Sequence, residues 1–362
     1  MSSFNEYIIS ADKLVYNIKK IKRFIGRQTK ICAVVKADAY GLGVKNVCTI
    51  ISDEVDYFAV VTINEALNLR KIDKAKPILV LGASNLERID DCVNNDIMVS
   101  ISSIDEVKCI NKYLIGQIKV HLKINTGMNR YGIKTITALR QILKEIKKGG
   151  KIQVVGVYTH FATKVENLDF IDRQYERFER LIKEIKIDNL IVHCANSFVA
   201  TTDKLKLCNM VRLGFSMYSN HYDRLNIENV VSINSRVVFI NHLKKGESVG
   251  YDRTHIAKRT EKIGVVPMGY ADGFARNLGN NFKVLINGQF ANVVGRVCMD
   301  CFMVDLTNIK GVFVGSKVVL LGEDSDKQIT LEDYAHAINF SPYEVLTNFR
   351  TKRMDVKIVK NE

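Results

Sequence analysis

Ile31-Cys32-Ala33-Val34-Val35-Lys36-Ala37-Asp38-Ala39-Tyr40-Gly41-Leu42-Gly43 is an apolar run of strand length that ends in a lysine and passes at once into a glycine-bearing turn. Burial at a strand end lowers the pKa of an ammonium and frees an amine. A neutral amine is what Schiff-base chemistry requires. The same residues also read as a structural lysine paired to a carboxylate such as Asp38, so the surrounding chain has to decide between the two.

Outward from this run, strands and helices alternate. Leu14, Ile18, Ile21 and Ile25 recur at helical spacing behind a candidate N-cap at Ser10, which predicts a helix before the lysine strand. After it the pattern predicts strands over 57–61, 77–81, 98–101, 118–124, 153–158, 190–194 and 210–213. Helices between them are opened by the capping boxes Thr62-Ile-Asn-Glu65 and Ser103-Ile-Asp-Glu106, and a later one carries apolar residues at 171, 175, 178, 182 and 185. Eight short strands separated by helical segments predict a (β/α)8 barrel, with a doubly wound open sheet as the other α/β solution. In a barrel, chemistry collects just after the strands. Lys36, Arg130, His160, Asn196 with Ser197, and Arg212 with Gly214 all fall there.

Near Val230 the texture changes to short apolar runs with turns: 235–240, 263–266, 283–286, 290–297, 302–306 and 317–321. Asn287-Gly288 between two of them is a strong hairpin signal. The expected organisation is a barrel over residues 1–230, whose first residues belong on the side of the second domain, and a mainly β domain over 231–362. One late helix is expected at Thr330-Leu-Glu-Asp333.

Of 362 residues, 47% are hydrophobic and 25% charged, a composition that builds globular cores. No apolar run approaches the roughly eighteen residues of a membrane span, and the first residues have neither a basic nor an apolar leader pattern. A cytoplasmic, non-membrane protein is expected. The net charge of +14 invites a nucleic-acid hypothesis, but its lysine pairs (147–148, 244–245) and the 19–23 cluster are short and far apart, as on solvated helix faces. The eight cysteines are scattered through apolar runs, which suits free thiols in a reducing compartment. Cys298-Met-Asp-Cys301 is a lone CxxC in a run read as strand, so no metal site is expected.

In order along the chain stand Ala-Val-Val-Lys36-Ala-Asp-Ala-Tyr-Gly, Asn125-Thr-Gly-Met-Asn-Arg130-Tyr-Gly, Tyr158-Thr-His160, His193-Cys-Ala-Asn-Ser197, Met-Val-Arg212-Leu-Gly, Gly-Tyr251, Gly-Tyr270-Ala-Asp-Gly, Gly-Arg296-Val-Cys-Met299-Asp and Pro-Tyr343-Glu. Together they resemble the alanine racemases, from near residue 5 to about residue 350. The resemblance implies a pyridoxal 5′-phosphate enzyme that interconverts L- and D-alanine by a two-base mechanism on the cofactor-bound substrate, hence D-alanine supply for peptidoglycan in a bacterial host. It implies that Lys36 holds the cofactor covalently and acts as one base, and that Tyr251 is the other. Tyr40, Ser197, Tyr343 and the amides of Gly214 and Phe215 would hold the phosphate, with His160 and Asn196 also at the cofactor. Arg212 would face the ring nitrogen, and His160 with Arg212 would assist Tyr251, since a phenol of reference pKa near 10 needs help at neutral pH. Arg130 and Met299 would contact substrate. Tyr251 and Met299 would reach the partner's barrel mouth in a homodimer with shared sites. Lys123 matches a lysine that is carbamylated in some members.

Against the family pattern, Leu42 stands for histidine, Asn125 for aspartate and Phe215 for a smaller aliphatic, and the tail reads Asn348-Phe-Arg-Thr-Lys-Arg353. These departures touch substrate preference, because relatives racemise serine, lysine or other amino acids on the same scaffold. The rival enzyme is a decarboxylase of the same layout, and the residue that separates the two is Arg212, where decarboxylation calls for a carboxylate.

Overall fold

The computed structural model describes residues 4–163, 167–202, 205–220, 225–349 and 351–360. Of eight parallel strands, Lys30–Val34, Tyr57–Val60, Ile78–Val80, Ile97–Ile101, Ile118–Lys123, Ile152–Tyr158 and Ile191–His193 pair in chain order, and the eighth, Met210–Leu213, pairs with the first. Backbone bonds from Asn209 N–H to Val192 O and from Arg212 N–H to Ala195 O, both 3.0 Å, close the ring. This is the (β/α)8 barrel the alternation predicts.

The helices begin where side chains can satisfy their first amides. Ser10 accepts from Lys13 N–H, and the capping boxes at Thr62–Glu65 and Ser103–Glu106 both form. Helix Leu168–Ile182 turns Ile171, Tyr175 and Phe178 onto the barrel's outer wall.

Residues two apart on a strand face the same side, and that parity builds the barrel interior. Cys32, Val34, Ala59, Leu79, Met98 and Met210 form an apolar cluster in the lumen. The next inward-facing positions, toward the strands' C-terminal ends, are polar: Ser100 follows Met98, Arg212 follows Met210, and His193 follows Ile191. A polar layer of the lumen therefore lies directly above an apolar one.

A second, ten-stranded sheet is assembled from the C-terminal residues together with Glu6–Ser10, which pairs antiparallel with Val231–Arg236 and parallel with Asp355–Val359. Asn287 and Gly288 make the hairpin turn between Lys283–Ile286 and Gln289–Val294, both with positive φ (50° and 69°). Three sequence expectations change. The run 235–240 is not one strand: Val237 N–H bonds Ser316 O and Val238 N–H bonds Val265 O, so the chain leaves one neighbouring strand for another between Val231–Arg236 and Phe239–Leu243. The late helix is two, Leu331–Ile338 and Pro342–Asn348, separated at Asn339 in the left-handed region. Cys298 and Cys301 sit in a turn, with Cys298 N–H donating to Cys301 O at 2.8 Å, and not in a strand. Of the tail departures from the family pattern, Arg350 lies outside the described residues.

Candidate active site

Lys36 is placed by an unusual backbone. Ala37, Asp38, Ala39 and Tyr40 all have φ between 51° and 58°, a left-handed turn of non-glycine residues. This conformation costs about 1–2 kcal/mol per residue, so neighbouring groups must hold it. Glu65 accepts Ala37 N–H at 2.7 Å while its other oxygen accepts Val61 and Thr62 N–H, and Asp38 accepts Val44 N–H at 2.7 Å. Asp38 thus serves a helix start, and among the described residues no ion pair joins it to Lys36. Burial and the charge of Arg130 push the Lys36 ammonium below its usual range, partly offset by Glu65.

Lys36 opens into a cavity of about 490 Å³ that is also lined by Tyr40, Arg130, His160, Asn196, Ser197, Arg212, Gly214, Phe215 and Tyr343. Of the residues expected at the site, Tyr251 and Met299 are not there: they are 67% and 53% exposed on the surface of the second sheet's region. The cavity also takes in Lys123, Tyr131 and Tyr158.

One side of the cavity is a cradle of donors. Ser197 Oγ accepts Gly214 N–H at 2.9 Å and Ser216 N–H at 3.4 Å, which ties the loop after the seventh strand to the loop after the eighth. The Gly214 amide, expected to point at a ligand, is here committed to Ser197. Gly214 matters instead for what it lacks, because a Cβ there would collide with the Tyr40 hydroxyl. Phe215 stacks on Tyr343 at 4.1 Å between ring centroids.

Arg212 forms the floor. Nη1 donates to His193 O (2.8 Å) and His193 Nδ1 (3.0 Å), and Nη2 donates to Thr159 O (2.8 Å), His160 Nδ1 (3.3 Å) and Cys194 O (3.3 Å). Every acceptor is neutral, so the guanidinium carries its charge to the cavity unpaired among the described residues. Its donors also assign tautomers. His193 Nδ1 accepts from Arg212, so its proton is on Nε2, which donates to His121 Nδ1 at 2.8 Å. His121 then carries its proton on Nε2, which is buried with no hydrogen-bond partner among the described residues. Burial and then the nearby Arg212 hold His121 down at about 3, and burial, then His121 and Arg212, hold His193 well below the imidazole range, so both rings are neutral. The charge of Arg212 also adds to burial in keeping His160 neutral.

The two histidines behind Arg212 were not singled out as site residues from the sequence. Their signal is polar residues at inward positions of barrel strands, with Gly156 opposite: a Cβ there would run into the His121 ring. Lys123, which the resemblance links to carbamylation, lines the cavity as well. Burial, Arg130 and Arg212 push it down to about 7, and its Nζ lies 3.7 Å from the Tyr131 ring centroid. At Asn125, the amide oxygen accepts Gly127 and Asn129 N–H, both at 3.1 Å, as a carboxylate would, so this departure keeps the turn that carries Arg130. Leu42 is fully buried in the core. Among the described residues no group of His, Cys, Asp and Glu could hold a metal, and no helix is long and apolar enough to cross a membrane.

Around one cavity thus lie an amine that burial pushes down, a junction of two loops at Ser197 and a guanidinium whose partners among the described residues are neutral, which is the layout of a barrel with its site at the strands' C-terminal ends. Residues 9–221 match the family described as alanine racemase, N-terminal domain, and residues 230–357 match alanine racemase, C-terminal domain. The chain belongs to the alanine racemase family, a family of isomerases. It is 38% identical to an alanine racemase of Geobacillus kaustophilus over 93% of this chain and 90% of that one. Its fold matches the alanine racemase of Bacillus anthracis with bound L-Ala-P (TM-score 0.93, 32% identity, 100% of this chain and 96% of that one). It also matches a histidine racemase of Leuconostoc mesenteroides subsp. sake (TM-score 0.89, 27% identity, 99% and 98%).

Proposed function

We propose that this protein interconverts L- and D-alanine, with pyridoxal 5′-phosphate as its cofactor, in a cytoplasmic homodimer that shares its active sites, and that it supplies D-alanine for peptidoglycan. The observation that carries the reading is the Lys36 amine, depressed by burial and by Arg130, facing the same cavity as a guanidinium with no carboxylate partner among the described residues. The eight cysteines are all free, in keeping with a reducing compartment.

The residues present fit the cofactor. The missing Cβ of Gly214 leaves room for the Tyr40 hydroxyl, and Ser197, which accepts two amides, keeps its own hydroxyl proton for an anion. Tyr40, Ser197, Tyr343 and the Phe215 backbone would hold the phosphate, with Gly214 supplying space and its amide committed to Ser197, and Asn196 and His160 line the same cavity. When bound, the pyridoxal group supplies an electron-withdrawing ring that acidifies the substrate Cα–H. The protein does the rest. Both Nη atoms of Arg212 are spent on neutral acceptors, which leaves its Nε–H as the donor for the ring nitrogen. A donor there keeps that nitrogen without a proton and limits charge delocalisation, which favours returning the proton to Cα over decarboxylation or transamination.

Lys36 takes or returns the Cα proton on one face. On the other face the base is the partner subunit's Tyr251, which lies too exposed on its own chain to act alone and too far from its own cavity to line it. His160 accepts from Arg212 at Nδ1, so its Nε2–H is free to stabilise the phenolate. Arg130 binds the substrate carboxylate, a task its fork geometry suits, and Met299 reaches the site with Tyr251. The chain divides at 230/231 into the part that carries the amine and the part that carries the phenol. Lys123, brought down to about 7 by burial, Arg130 and Arg212, has a substantial neutral fraction at pH 7, the form that takes up carbon dioxide as a carbamate, an anion that would orient Arg130.

Two measurements test this. Purified holoprotein offered L-alanine, L-serine, L-lysine and L-histidine is expected to form D-alanine fastest by chiral chromatography, and faster turnover of another member of the panel would reassign the substrate. Gly214→Ala is expected to weaken cofactor binding about tenfold or more while the melting temperature moves little, because the new methyl meets Tyr40 inside the cradle. Titration of the apoprotein with cofactor, followed by absorbance, reads that change.

A further inference from the structure

The seventh barrel strand ends at His193 and the eighth begins at Met210, and between them the chain carries Asn196 and Ser197 of the cradle. A thiol stands at each end of that connection. Cys194 follows the seventh strand and is fully buried, while Cys208 precedes the eighth and is half-buried. Their sulfurs are 2.7 Å apart. The Cys194 amide donates to Cys208 Sγ at 3.2 Å, and Leu207, just before Cys208, is held at φ 54°, in the left-handed region that a leucine avoids. The fold thus spends backbone strain to set one sulfur on the other.

We propose that Cys194 and Cys208 are a redox modification site, forming a reversible disulfide with hydrogen peroxide that ties the ends of the two strands beneath the cradle. This goes beyond the racemase reading and does not depend on which amino acid is the substrate. The thiolate of Cys208 attacks one peroxide oxygen; an S–O bond forms, the O–O bond breaks, and the departing hydroxide takes up a proton to become water. Cys194 then gives up its proton and its sulfur attacks that of Cys208, forming the S–S bond as the S–O bond breaks and a second water leaves. Two thiols are oxidised by two electrons, and one peroxide is reduced to two waters.

The assignment of attacker and resolver follows from the surroundings. Cys208 accepts from the Cys194 thiol and from backbone amides and lies in the field of Arg212, which together bring it down to about 7, while burial holds the Cys194 thiol well above its ordinary range. Low thiolate pKa, partial exposure and a resolving partner are what peroxide-sensitive cysteines share. Cys298 and Cys301 are the internal comparison, since burial pushes Cys301 up to about 11 with no cation among the causes. The crosslink would close a ring that includes Asn196 and Ser197, and Cys194 O already accepts from Arg212, so oxidation should stiffen the site from below without entering the cavity.

The test is peptide mapping of holoprotein treated with a small excess of hydrogen peroxide, alkylated under denaturing conditions and digested without reduction. The expected result is loss of two of the eight thiols first, a mass decrease of about 2 Da, a Cys194–Cys208 linked peptide, and its disappearance with dithiothreitol. The melting temperature should rise by several degrees on oxidation, because a short loop is closed. That rise should be absent in Cys208→Ser, while Cys194→Ser should stop at a Cys208 sulfenic acid that dimedone traps. If Cys194 and Cys208 both stay alkylatable in the wild-type protein while the Cys298–Cys301 pair or other thiols are consumed, the proposal is wrong, and that outcome requires no variant to fold.

Discussion

Lys36→Ala is expected to abolish racemisation, by at least about 10⁴-fold, and Tyr251→Phe to lower it by about 10³-fold, yet a mixture of the two inactive proteins should recover activity. The recovery follows from where the two side chains sit. Lys36 is in the barrel cavity, whereas Tyr251 is 67% exposed and does not line the cavity of its own chain. In a mixed dimer one site would carry both substitutions and the other neither. Random exchange of equal amounts makes half the dimers mixed, so about a quarter of all sites, and about a quarter of the wild-type rate, should return. Exchange verified by mass-tagged subunits, with no recovery of activity, would refute the shared site. Recovery before exchange could occur would point to contamination and not to complementation.

The parts of the protein legible in its sequence are those decided by neighbours in the chain. The capping boxes at Thr62 and Ser103 and the Asn287-Gly288 turn each rest on backbone amides or φ angles within a few residues, and each forms as expected. The barrel followed from strand length and alternation, because eight half-turns of the same period have few other ways to bury both faces. The second late helix carries the same kind of local signal, since Ser341-Pro-Tyr-Glu344 is a capping box with proline at its first position.

What could not be read depends on residues far apart. Four consecutive left-handed residues after Lys36 contradict local preference, and Glu65, far along the chain, holds that turn together with its own backbone bonds and the start of the next helix. Glu6–Ser10 finds its parallel neighbour in Asp355–Val359, at the other end of the chain. The pairing of His121 with His193, and the tautomers it imposes behind Arg212, exist only once the barrel closes. The residues that bear the expected chemistry were recognisable by type and position. The groups that hold them in place were not, because their partners are set by the tertiary fold.

We propose that two side chains serve opposite faces of one substrate, and the resemblance to the alanine racemases implies Lys36 for the D enantiomer and Tyr251 for the L enantiomer. Tyr251→Phe removes one of these bases and leaves the other. The most direct measurement is solvent exchange at Cα, made with Tyr251→Phe holoprotein in deuterated water and each enantiomer of alanine in turn. Deuterium should enter D-alanine well above the rate for L-alanine, because Lys36 can still remove and replace that proton. Net racemisation should fall equally in both directions, since mirror symmetry holds the equilibrium constant at unity. Equal exchange into both enantiomers at an undiminished rate would mean that one base, or a mobile water, reaches both faces, and the two-base account would be contradicted.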